Sequence, residues 1–61
     1  KGMLALGCSV ENAQRFMANK PNVFISAVNS ANSITLAGDL EQINAVAREA
    51  QAEKLFAVVL K

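Results

Sequence analysis

The sequence predicts an α+β fold in which strands and helices follow one another as βαββαβ. Three observations carry that reading. Two segments with apolar residues at helical spacing, 10–17 and 40–50, each follow a residue suited to capping a helix. Short apolar runs of strand length lie before, between and after them. The two middle runs meet at Asn29-Ser30-Ala31-Asn32, residue types that bond their own backbone and tolerate left-handed dihedrals, as hairpin turns require. Residues 27–39 thus form the midpoint of a pseudo-symmetric unit, with one helix before the hairpin and one after it.

Each element has a local reason. Met3–Leu6 is short, apolar and closed by Gly7, as in a buried strand. Ser9 is placed to cap the first helix, and Glu11 sits in its first turn at the positive end of the dipole. Val10, Ala13, Phe16 and Met17 make its inward stripe, and Pro21 ends it after Asn19-Lys20. Val23–Val28 is a β-branched second strand interrupted by Ser26, and Ser33–Ala37 alternates as a third. Asp39 caps the second helix, with Gln42 spaced for a reciprocal capping-box bond. Leu40, Ile43, Val46, Ala47 and Ala50 are its inward stripe, with Glu41, Arg48, Glu49, Gln51 and Glu53 on the solvent side. Leu55–Leu60, apolar in both phases, is a fourth strand suited to burial on both faces.

This order is the split-βαβ, or ferredoxin-like, arrangement, an α+β fold. Right-handed crossovers put both helices on one face of a four-stranded antiparallel sheet, with strands one and three in the centre. The other sheet face is left bare, and a bare apolar face invites self-association.

Composition limits the function. With 61 residues the chain is one small unit, 1–61, and a chain this short buries only about 60% of its unfolded surface. With one cysteine and no histidine, it has neither an internal disulfide nor a zinc set. The lone thiol fits a reducing, cytoplasmic setting. A net charge of +1 with scattered Lys and Arg lacks the basic patch of a nucleic-acid binder. The run 55–60 is far too short to span a bilayer, so no membrane role is expected. An apolar fraction of 52% is high for so small a unit, and neither end carries a polar linker. Both features predict a segment cut from a larger protein.

Little catalytic chemistry is offered. The sequence has no Gly-rich phosphate loop and no Gly-x-Ser-x-Gly, and Asp39, Glu41, Glu49 and Glu53 read as caps or helix surface. Cys8 stands at a helix N-terminus, where the dipole can lower a thiol pKa, but no base accompanies it, and a small residue filling the strand-to-helix turn is the simpler reading. Asn29, Ser30, Asn32 and Ser33 read as turn formers on composition alone.

Three blocks, Gly2-Met3-Leu4-Ala5-Leu6-Gly7, Ala27-Val28-Asn29-Ser30 with Ser33-Ile34-Thr35-Leu36-Ala37-Gly38-Asp39, and Lys54-Leu55-Phe56-Ala57, add a resemblance. Their order and spacing resemble the small subdomain of malonyl/acyl-CoA:acyl-carrier-protein transacylases, as found in polyketide synthases and type I fatty acid synthases. In that family a large α/β-hydrolase-like subdomain carries a Gly-His-Ser-x-Gly nucleophile, and a catalytic His follows the small subdomain's last strand. The resemblance therefore implies a non-catalytic wall of the cleft that admits acyl-CoA and the phosphopantetheine arm of acyl carrier protein, with no cofactor of its own. It implies the large subdomain of the same chain and the carrier protein as partners. Asn29 and Ser30 match the Asn-containing segment that approaches the cleft, and Met3 resembles a residue on its substrate side. Ala31 stands where the family often has Pro, and Ala37-Gly38 where it has Ser-Gly.

Other users of the fold fit less well. An RNA-recognition domain needs aromatics on the central strands, and Met3–Leu6 and Ser33–Ala37 have none. An acylphosphatase-like enzyme needs a cationic cradle after the first strand, where Gly7-Cys8-Ser9 stands. Metal-chaperone forms need a second thiol. A free-standing binding or interaction module on the same fold is the alternative.

Overall fold

Every predicted element is present in the computed structural model, which describes residues 2–60. The expectations placed on Lys1 and Lys61 lie outside the described residues. The elements are β1 (Gly2–Gly7), α1 (Val10–Met17), β2 (Val23–Ser30), β3 (Ser33–Gly38), α2 (Leu40–Ala52) and β4 (Phe56–Leu60). They form one antiparallel sheet of order β2-β3-β1-β4, so β1 and β3 are central as the crossover rule requires.

Both caps form at the predicted residues. The Ser9 side chain accepts from Asn12 N, and that of Asp39 from Gln42 N. The reciprocal bond expected of Gln42 does not close. Asp39 N instead donates to Asn22 O at 2.9 Å, and Gln42 Oε1 accepts from Asn22 N at 3.0 Å. The chain entering β2 therefore occupies both groups and is tied to the start of α2. A side chain on Gly38, at φ +155°, would run into that same Asn22 carbonyl, so glycine is required there.

The core lies between the sheet and the helices. Leu4, Leu6, Ile34, Leu36, Ile43 and Val46 are fully buried in it. Ala13 and Phe16 from α1 and Ala47 and Ala50 from α2 complete it, as their spacing predicts. Leu40 departs from its stripe and is exposed. It is the first residue of α2 and overhangs the start of β1, where Gly2 has no side chain to meet it.

Two features close the helical layer. Lys20, just past α1, is only 7% exposed, yet all three of its protons are used. Nζ donates to Phe16 O at 2.9 Å, Asn19 Oδ1 at 3.0 Å and Glu49 Oε2 at 2.9 Å. It satisfies a terminal carbonyl of α1 while pairing with α2, so Glu49 is a partner in the fold and not only solvent surface. At the end of α2, Leu55 N donates to Ala50 O and Lys54 N to Gln51 O, a Schellman motif. Lys54 holds the left-handed position, φ 64°, that glycine usually takes.

Candidate functional site: the open sheet face and its hairpin

The bare face is built by strand alternation. β1 directs Leu4 and Leu6 under the helices and Met3, Ala5 and Gly7 away from them. Pairing carries this across the sheet, since directly opposed residues share a face. One transverse row runs Phe24, Ala37, Met3, Leu60, and the next Ala27, Thr35, Ala5, Val58. Phe56 is opposite Gly7, and its ring lies against the space a side chain there would fill. Phe56 and Phe24 are 64% and 60% exposed, and Met3, Val58 and Leu60 are exposed as well. The outward phase of β4, predicted for burial, is therefore open to solvent in this chain.

The hairpin is tighter than its four polar residues suggest. β2 continues through Asn29 to Ser30, which pairs with Ser33, leaving Ala31-Asn32 as a two-residue loop. The strand reaches that loop through two irregularities. Ile25 pairs with Leu36 and Ala27 with Thr35, so Ser26 is extra; Val28 pairs with Ile34 and Ser30 with Ser33, so Asn29 is extra. Both are β-bulge positions, which bend a strand and re-aim a side chain. Asn29 Nδ2 reaches across to Thr35 Oγ1 at 3.5 Å, toward the open face.

Of the residues singled out in the sequence, Asn29 and Ser30 are together and exposed at the hairpin end. Met3 is on the same face but not beside them. Its partner Ala37 lies four positions along β3 from Ser33, the partner of Ser30, a separation of about 13 Å. Phe24, Phe56, Val58 and Leu60 were not singled out, although alternation from Met3 through the strand pairing assigns them to its face. Cys8 is buried, its Sγ donating to Ser9 O at 3.4 Å. Burial pushes its thiol pKa up; nearby Arg15 opposes this and Glu53 adds to it. A neutral, enclosed thiol is a poor nucleophile. No cluster of three metal-ligating side chains occurs among the described residues, and no described helix is long and apolar enough to cross a membrane.

Comparison with known proteins adds a family likeness. No protein-family profile matches the chain. It is 43% identical over 61 residues to highly reducing polyketide synthase PKS2 of Leptosphaeria maculans and 38% over 63 residues to highly reducing polyketide synthase valA of Aspergillus terreus. These matches cover 97% and 98% of the chain but only 2% of either relative. Among solved structures, the acyltransferase domain of phenolphthiocerol/phtiocerol synthase A from Mycobacterium bovis (BCG) superposes with TM-score 0.91 at 27% identity, over 98% of this chain and 23% of that one. The likeness is to one part of a polyketide synthase acyltransferase domain. An acyltransferase domain from the second module of the salinomycin polyketide synthase, at 18% identity and TM-score 0.92, shows the same fold. The chain thus aligns nearly end to end with a small part of much larger proteins.

Proposed function

We propose that this chain is the small, non-catalytic subdomain of an acyltransferase that loads malonyl or a related acyl group from CoA onto acyl carrier protein. Its open face and hairpin form one wall of the substrate cleft, and an α/β-hydrolase-like subdomain of the same polypeptide forms the other. The observation that carries this reading is the apolar row Phe24, Ala37, Met3, Leu60 on a face that no helix covers. Such a surface is suited to burial against another body. Asn29 and Ser30 put amide and hydroxyl groups at one end of that wall, and Met3 lies farther along it. Acyl transfer through a serine ester needs a nucleophile and a base. The sequence has no histidine, so the base would come from elsewhere in the parent.

The test begins with the chain alone, incubated with malonyl-CoA and acyl carrier protein. No transfer and no acylated chain are expected by intact-mass analysis; a malonylated chain would overturn the reading. In the full acyltransferase domain, Asn29→Ala should lower kcat/KM by about tenfold, the loss of one hydrogen bond to substrate, with the melting temperature retained. An unchanged kcat/KM would remove Asn29 from the cleft.

A further inference from the structure

The two edges of the sheet differ, and the difference selects one of them for strand addition. β2 carries bulges at Ser26 and Asn29, which break its ladder and twist it away from an incoming strand. β4 is regular over all five of its pairs with β1 and carries no charge, proline or bulge between Phe56 and Leu60. Regular, uncharged, apolar edges are those natural proteins usually protect.

We propose that β4 pairs antiparallel with β4 of a second copy of this chain, joining two sheets into one of eight strands. The inference is independent of the acyltransferase reading. Its orientation follows from one side-chain contact. Gln51 Nε2 donates to Ala57 O at 2.9 Å, which marks that carbonyl as facing away from β1. Residues of an antiparallel strand alternate between their two neighbours, so Ala57 and Val59 present their backbone groups outward while Phe56, Val58 and Leu60 bond β1. A two-fold axis at Val58 then opposes Ala57 to Val59 of the second copy, making the backbone bonds. Phe56 opposes Leu60, and Val58 meets its own copy. Every opposed pair is apolar, none places like charges together, and both open faces stay on one side. Gln51 is the present occupant of one outward carbonyl and competes with the second copy for it.

The experiment is sedimentation equilibrium in the analytical ultracentrifuge on the 61-residue chain, from micromolar to millimolar concentration, with amide exchange followed by NMR. The expected result is a monomer–dimer equilibrium in which the Ala57 and Val59 amides slow as concentration rises. Val58→Lys and Val58→Glu should each weaken dimerisation about fivefold or more, because like charges then meet at the axis, and mixing the two should restore it. Gln51→Ala frees the Ala57 carbonyl and should strengthen the dimer. It also keeps the proposal testable if the Val58 variants fail to fold. A chain that stays monomeric to millimolar overturns the proposal. So does a dimer that Phe24→Ser abolishes and Gln51→Ala leaves unchanged, since that pattern is stacking of open faces.

Discussion

The two faces of this sheet are made by the same four strands and differ in nearly every physical respect. On one side Leu4, Leu6, Ile34 and Leu36 are fully enclosed by two helices, and the polar groups at the rim are tied by Asp39, Gln42 and Lys20. On the other, Met3, Phe24, Phe56, Val58 and Leu60 are apolar and face water. Hydrophobicity alone therefore does not mark the core of this chain. The core is where apolar residues coincide with a covering helix, and the uncovered apolar residues form a surface suited to contact with another body.

The contrast is tested most severely by removing volume from the covered side. Leu36→Ala should lower unfolding free energy in urea by about 2–5 kcal/mol. A domain of this length has a total on the order of 3–9 kcal/mol, so the variant should be largely unfolded by circular dichroism. Lys20→Met should destabilise by about 1–3 kcal/mol, because the Phe16 carbonyl and Glu49 lose a donor inside the helical layer. Lys54→Gly should stabilise by about 0.5–1 kcal/mol by relieving the left-handed conformation at the end of α2, read as a higher urea midpoint.

A pH series sharpens the same comparison through Cys8. Its pKa is raised in the fold above the ordinary 9.0, so the native state keeps a proton that the unfolded chain releases. That contribution is fully present below pH 9.0 and is lost as pH rises above it. Unfolding free energy should therefore fall on the alkaline side, with a slope that Cys8→Ala reduces. The smallest effect belongs to the open face. Phe24→Ser should change stability by no more than about 0.5 kcal/mol while reducing binding of a hydrophobic dye. A loss comparable to that of Leu36→Ala would show that the open face is part of the core.

Much of the fold was legible because local and periodic signals agreed. Ser9 and Asp39 cap where their spacing says, and Ala13, Phe16, Ile43, Val46 and Ala50 are buried where helical spacing puts them. What escaped depended on contacts distant in sequence. Gln42 reads as a capping-box residue until Asn22, twenty positions away, takes its oxygen. Lys20 reads only as the end of the first helix, and its burial is hidden because burying an ammonium depends on Glu49, which only the packing of the helices supplies. Leu40 has the right phase for burial but lies over Gly2 at the start of β1, which has no side chain to cover it. At the candidate site, the hairpin was visible in its Asn and Ser residues. The bulges were not, because an extra residue becomes apparent only against a partner strand.

Those bulges bear on how β2 can change length. Removing Ser26 would leave Ile25 opposite Leu36 and the next residue, Ala27, opposite Thr35, with both side chains on their present faces. Removing Asn29 would do the same for Val28 and Ser30 against Ile34 and Ser33. β2 therefore holds two spare positions at which single-residue deletions can be absorbed without a frame slip in the sheet, so sequence gaps within this strand need not signal a different fold.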